Sequence, residues 1–308
     1  MKLIPSILCL ALLIAGSPVP AQIPSPVETD RPLPDIYTLM HEVEEHQRTA
    51  EAVEKDYLYH EVAREQSSDG KKTETNEFDV FWLRGVRIHK LTRKNGKDLT
   101  ADEQRKENER IDKEVIKAQD RKNKADAKGQ ATNSQGNEEV TVSRFLELGA
   151  FTNPRRTQLR GRNTIAVDYA GDPKAKTRSR LESVIRDLSG TIWIDEEDRT
   201  ITQVEGRFAN SFKIGGGMVM SIKKGTHFSM EQMKINNEVW LPSRLEGNGA
   251  ARVMLLLHFD GSVFVTNSDY RKFKATSTIL PGLATVKEDS SSETGEPEKD
   301  QKTASPPK

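Results

Sequence analysis

Between positions 190 and 273, strand-forming runs follow one another with only a few residues between them, and this spacing constrains the fold more than any other feature of the chain. The runs are 190–195, 200–208, 212–223, 226–235, 239–246, 252–259 and 263–273, carrying the β-branched and aromatic residues that favour strands. Between them lie Glu197-Asp198, Lys224-Gly225, Asn236-Asn237, Asn248-Gly249 and Asp260-Gly261, which are hairpin signals that join antiparallel neighbours. A further run at 157–169 precedes them, and a helix at about 177–187 interrupts the series. So many consecutive strands predict one large antiparallel sheet, twisted or curled into a partial barrel. The fold class is therefore α+β, mostly β: a half-barrel whose helices cover the concave face.

Those helices are sought in the first half of the chain. Asp35 can cap a helix over 35–54, which puts Ile36, Leu39, Met40, Val43 and Ala50 on one face and acidic residues on the other. Two strand-like runs follow at 57–64 and 77–91, with the turn residues Ser67-Ser68-Asp69-Gly70 between them. In the second run Phe78, Val80, Trp82, Val86 and Ile88 share one side, broken by Arg84, with Phe81 and Leu83 opposite. After Asn95-Gly96, the tetrad Thr100-Ala-Asp-Glu103 matches a capping box. The helix it starts, 103–124, has only a thin apolar stripe of Ile111, Val115 and Ala118, so it is either solvated or lies on a partner. Residues 126–137 read as a flexible connection, and 140–148 as a short helix stopped by Asn153-Pro154.

The first 21 residues read as a signal peptide: Lys2 supplies a positive start, 3–15 an apolar region, and Val19-Pro20-Ala21 a small-residue cleavage site. That apolar region is too short to span a bilayer and no later stretch approaches the length required, so the chain is not expected to be membrane-spanning. The single cysteine, Cys9, leaves with the signal peptide; the mature chain then has no disulfide, thiolate or sulfur ligand and depends on its hydrophobic core. Counts of 47 basic and 47 acidic residues give no basic excess, so no nucleic acid partner is expected. The resulting organisation is a signal peptide (1–21), a flexible leader (22–34), one half-barrel domain (35–275) with a charged helical insertion at about 100–138, and a disordered tail (281–308). Export places it in the periplasm of a bacterial envelope, or outside the cell.

No constellation of catalytic residues stands out. His41 and His46 are five apart on the first helix, so their imidazoles lie roughly 140° apart around the axis instead of on one face. The other histidines, His60, His89, His227 and His258, are isolated on strands, and no metal is expected. Gly215-Gly216-Gly217 lacks the Lys-Ser/Thr pair of a phosphate-binding loop and reads as a bulge or bend. Asp195-Glu196-Glu197-Asp198 lacks the spacing of a calcium loop and reads as a hairpin tip. The chain is thus expected to be no enzyme and to use no cofactor. What the sequence does concentrate is adaptable apolar surface: Met218, Met220, Phe228 and Met230 lie in successive strands, with Trp82, Trp193 and Trp240 as further candidates to line a cavity. Ordinary core packing under the helices is the competing interpretation of the same residues.

The paired segments Gly190-Thr-Ile-Trp-Ile-Asp195 and Ile201-Thr-Gln-Val-Glu-Gly206, with the later Val239-Trp-Leu-Pro-Ser-Arg244, resemble strands of the lipoprotein-localisation-factor superfamily. That periplasmic group includes lipoprotein carriers and a related sensor that regulates an anti-sigma factor. The resemblance implies the same half-barrel and an apolar cavity; the carriers' functional arginine is transferred to no residue here. The segment Lys94 to Glu107 also resembles uncharacterised secreted bacterial proteins, a likeness that brings no activity with it. Two functions follow as expectations. One is a non-catalytic periplasmic or secreted binding protein that carries a lipid, acyl chain or lipoprotein against the apolar residues. The other is an envelope protein-interaction or sensor module that uses the helix 103–124 and has no lipid ligand.

Overall fold

The computed structural model of the chain describes residues 31–129, 132–137, 139–214, 220–253 and 257–272. The expected signal peptide, most of the leader, the tail from 281 and the bend at Gly215-Gly216-Gly217 lie outside the described residues. The helices are α1 (Ile36–Glu54), α2 (Ala101–Asp126), α3 (Val142–Glu147) and α4 (Arg180–Ile185). The strands are β1 (Tyr57–Ser67), β2 (Thr73–Leu83), β3 (Val86–Lys94), β4 (Lys97–Asp98), β5 (Gly149–Leu159), β6 (Arg162–Gly171), β7 (Leu188–Asp195), β8 (Ile201–Phe208), β9 (Phe212–Ile214), β10 (Met220–Ile222), β11 (His227–Ile235), β12 (Val239–Val253) and β13 (Leu257–Lys272). They form one antiparallel sheet in the order β4-β3-β2-β1-β13-β12-β11-β8-β7-β6-β5, with β10 attached to β12 and β9 to β10. The path is open, ending at β4 and β5.

Local chemistry explains the helix starts. Asp35 accepts a hydrogen bond from the Thr38 amide, and Thr100 and Glu103 close a reciprocal capping box. Leu39, Met40 and Val43 on α1 then pack with Leu146 of α3 against Ile165, Val167, Ile192 and Ile194 of β6 and β7. At its other end α1 presents Val53 to Tyr57 and Leu241, while Glu54 pairs with Arg87 of β3. Met40 and Glu54 stand ~21 Å apart along the helix axis, whereas β7 and β3 are separated by ~34 Å along a flat sheet. One helix can reach both only because the sheet curls around it, so α1 lies on the concave face. On β8 the alternate residues Val204 and Phe208 put α4 on that face too, since Val204 packs with the α1 cluster and Phe208 with Val184 of α4.

The long helix α2 is on the other side. Its buried stripe of Ile111, Val115 and Ala118 packs on Leu58, Phe81, Val86 and Ile88, and Leu58 alternates with Tyr57, which packs with Val53 of α1. The expected cover of helices is therefore split: α1, α3 and α4 on the concave face, α2 on the convex one. Neither a bare solvated helix nor a partner is needed to account for the stripe, because the chain's own sheet buries it. Glu107 and Arg110 complete the docking. The Glu107 carboxylate accepts the Leu91 amide at 2.8 Å and is held by Arg110, whose guanidinium also donates to the His89 carbonyl at 2.7 Å. Glu107→Ala should cost about 2 kcal/mol in urea unfolding, by orphaning that amide and removing one carboxylate from Arg110, which keeps Glu114, with faster hydrogen exchange at Leu91 as the local sign.

Four strand boundaries differ from the sequence reading, each for a physical reason. The run 77–91 is two strands, because Arg84 and Gly85 both take positive φ and form a two-residue turn. Phe81 and Leu83 therefore share a face with Val86 and Ile88, not the opposite one. The run 157–169 is likewise split by Arg160-Gly161 into β5 and β6. Conversely, Asn248-Gly249 and Asp260-Gly261 are not turns: β12 and β13 run straight through, with Gly249 opposite Gly261. A Cβ at Gly249 would lie 2.5 Å from the Thr226 hydroxyl, and one at Gly261 2.0 Å from the Gln66 carbonyl, so both are bare to admit neighbouring backbone.

Candidate functional site

In an antiparallel ladder, residues directly opposite one another share a face. Traced from partner to partner, the concave face carries one unbroken apolar row: Val167 on β6, Ile192 on β7, Val204 on β8, Met230 on β11, Leu245 on β12, Val265 on β13 and Ala63 on β1. It ends at Asn76 on β2. The row crosses seven strands and measures ~29 Å from end to end. Its first members lie beneath α1, and Leu245 and Val265 pack beside the α4 cluster. Met230 falls between the two covers and is 47% exposed, although both its ladder neighbours are apolar. A large flexible side chain is thus left open on a face whose β6–β7 end the helices bury.

The neighbouring row is Tyr169, Gly190, Gly206, Phe228, Gly247 and Val263. Phe228 lies flat over Gly206, where a Cβ would come within 2.5 Å of its ring. The ring also meets Phe208 at a centroid distance of 6.2 Å. The glycine lowers the floor of the face at this point and lets an aromatic ring take the place of a side chain.

The sequence-derived candidates do not share one surface. Phe228 and Met230, two apart on β11, do lie together on the concave face. Trp193 lies on the opposite, convex face, because it alternates with the buried Ile192 and Ile194. Trp240 is bound into a polar cluster: its indole N–H donates to Asp198 at 2.8 Å, and the Arg162 guanidinium stands 5.5 Å from its ring. Burial opposes ionisation of Asp198, but Lys234, Trp240 and Arg162 outweigh it and hold the carboxyl below the usual range. Trp82 sits on the α1 side but under cations, with Arg87 and Lys55 at 5.2 and 5.5 Å from its ring. Met220 is described through its backbone in β10, and Met218 lies outside the described residues. The residues that extend the Phe228–Met230 pair are Val204, Leu245, Val265 and Ala63. They were not singled out from sequence, since only the register reveals that they are one row.

No member of the row titrates or donates a hydrogen bond from its side chain, so the arrangement offers apolar contact alone. Among the described residues there is no group of three His, Cys, Asp or Glu residues placed to hold a metal ion, and no helix long and apolar enough to cross a membrane. No protein-family model and no curated protein matches the chain. Among solved structures, it is similar to an outer membrane lipoprotein-sorting protein domain from Vibrio parahaemolyticus, at 10% identity and a TM-score of 0.36 over 77% of this chain and 95% of that one. It is similar also to a LolA superfamily protein from Nitrosomonas europaea, at 9% identity and a TM-score of 0.34 over 75% and 94%. A DUF1329 family protein from Desulfovibrio piger matches at 7% identity and a TM-score of 0.31 over 79% and 95%.

Proposed function

We propose that this protein is an exported, non-catalytic carrier that holds an acyl chain, of a lipid or of a lipidated protein, along the concave apolar row. The observation that supports this is Met230, half exposed in the middle of an apolar row whose remaining members on β8, β12, β13 and β1 are only partly buried. From Met230 through Leu245 and Val265 to Ala63 the lane runs ~14 Å, close to the thickness of one bilayer leaflet and so to the reach of one acyl chain. Methionine suits such a position because its thioether adapts to a guest at little cost. Each methylene removed from water there contributes about 0.8 kcal/mol, enough for useful affinity after the costs of ordering a flexible chain.

The interaction reading has less support. The stripe that motivated it on α2 is buried in the chain's own sheet, so the surface α2 leaves for a partner is charged, with Ile116 as its exposed large apolar residue. The deciding experiment is native purification of residues 22–308 from the periplasm, with lipid extraction and mass spectrometry beside a mock preparation. Near-stoichiometric acyl lipid supports the carrier; an empty protein that also refuses added lipid or lipopeptide removes it in favour of the interaction module. Met230→Asp should weaken uptake of a fluorescent fatty acid roughly 10- to 100-fold, since it removes apolar contact and puts a carboxylate in the lane. Its unfolding free energy should change little.

A further inference from the structure

The apolar row ends at Asn76, and the side chains around that end leave hydrogen-bond acceptors unanswered. Asn76 lies directly opposite Ala63, and Glu61 stands two residues and ~7 Å from Ala63 on the same face of β1. Asn267 of β13 is the direct partner of Glu61 on its other flank. The register thus gathers Glu61, Asn76 and Asn267 on the concave face, beside the last two apolar members of the row, Val265 and Ala63. The Asn76 amide donates to the Glu74 carboxylate at 3.0 Å, and the Asn267 amide to the Pro242 carbonyl at 3.0 Å. Turning either amide over would set oxygen against oxygen, so these bonds fix both orientations. Each carboxamide oxygen is then closed to solvent and accepts no hydrogen bond among the described residues, whereas buried acceptors are normally satisfied. Neither asparagine is fully covered, so a small shift of neighbouring side chains opens these oxygens to a guest. Glu61 holds one oxygen 3.1 Å from the His89 ring, leaving the other without a partner among the described residues.

The surrounding charge points the same way. Glu65 faces Glu74 directly across β1 and β2, like charges on one pair, next to the pair formed by Ala63 and Asn76. Lys94 meets Glu74 at 3.2 Å. A guest suited to this end brings hydrogen-bond donors and positive charge, and no acceptor of its own. A primary ammonium group is such a guest, with three N–H donors and no lone pair, and its bonds to a carboxylate are charge-assisted. A metal ion fits less well, because among the described residues no three His, Cys, Asp or Glu side chains are placed to hold one. We infer that the Ala63 end of the row receives the primary ammonium head of an amphiphile whose chain lies along the lane toward Met230. Glu61 is the counter-ion, and the Asn76 and Asn267 oxygens are the further acceptors. This deepens the carrier reading and rests on it.

The test compares binding of dodecylammonium, dodecyltrimethylammonium, dodecanol, dodecanoate and ethylammonium to residues 22–308 at neutral pH, below the micelle concentrations. Dodecylammonium should bind roughly tenfold more tightly than dodecanol, which lacks the charge, and than dodecyltrimethylammonium, which lacks the N–H donors. Dodecanoate should bind least tightly of the chain-bearing ligands. Glu61→Gln keeps the shape and removes the charge, and should bring dodecylammonium to within about threefold of dodecanol while leaving dodecanol unchanged. Asn76→Leu should weaken dodecylammonium roughly three- to tenfold without weakening dodecanol. Circular dichroism checks that each variant folds, and Asn76→Leu carries the test alone if Glu61→Gln does not. If the chains bind but their head groups are not distinguished, or if the variants keep the preference, the head-group assignment is wrong and the lane stands. If dodecyltrimethylammonium matches dodecylammonium, charge alone is read and the asparagine acceptors are overturned. If ethylammonium binds as tightly as dodecylammonium, the site serves small amines, and the inference of an amphiphile's head is overturned. If no amphiphile binds, the carrier reading itself falls.

Discussion

Glu182→Ala should lower the unfolding free energy by about 3 to 5 kcal/mol, the range for breaking a buried ion pair from one side. Arg144 on α3 reaches Glu182 on α4 with two hydrogen bonds, Nε to Oε1 at 2.8 Å and Nη2 to Oε2 at 3.0 Å. The carboxylate also accepts the Arg178 amide, while the Ser179 hydroxyl accepts the Glu182 amide at the start of α4. Both partners are shielded, with side chains 12% and 6% exposed. Removing the carboxylate leaves a guanidinium with half its ligands, and the short helix that presents Val184 to the sheet loses its anchor. Urea denaturation gives the magnitude, and a loss smaller than about 1 kcal/mol would show that the pair is solvated in practice.

The same pair sets a pH dependence. The Arg144 hydrogen bonds and charge hold the Glu182 carboxyl below its ordinary value of 4.5. A group with a lowered folded pKa contributes stability that is complete above the ordinary value and disappears as the pH falls through the folded one. The protein should therefore lose stability from about pH 4.5 downward. Glu182→Gln, uncharged throughout, should lack this part of the acid limb.

Ile194→Ala should cost about 3 to 4 kcal/mol, as expected for truncating a side chain in a site that cannot collapse. Ile194 has no exposed surface and lies where Leu39, Met40 and Val43 seat α1 against the sheet. The loss should appear with faster amide exchange in the first turns of α1. A uniform destabilisation, with α1 exchanging only by global opening, would mean that the helix and sheet unfold as one unit and that α1 has no separate docking step.

Much of the fold is legible in the residues because it is locally encoded. The Asp35 cap, the Thr100–Glu103 box and the succession of strands are consequences of side chains acting on backbone a few positions away. Glycine is where local encoding fails. Asn248-Gly249 and Asp260-Gly261 have the composition of hairpin turns, yet each glycine exists to let Thr226 or Gln66 come close, a reason that lies tens of residues or more away in sequence. The site shows the same division. Phe228 and Met230 are visible as a pair through strand alternation, and Ile192 and Ile194 already imply that Trp193 faces away from them. That Met230 meets Val204 on one side and Leu245 on the other depends on register, and a slip of one residue would turn the row outward.

The bond between Glu107 and the Leu91 amide, with Arg110 on the His89 carbonyl, also governs how this molecule behaves in company. Among the described residues, the strand beyond β3 is two residues long, so the rest of that margin would present free amides and carbonyls to any passing chain. Two side chains of α2 answer those groups as a further strand would, without offering a new edge in turn. At the other margin β5 is interrupted by Pro154 and a break in register, which serves the same end. A protein with a sticky apolar lane inside thus keeps its own borders from polymerising. Removing the charged helix would accordingly unmask an adhesive seam, and any change in protein capture after such a deletion reports that seam as much as the loss of the helix.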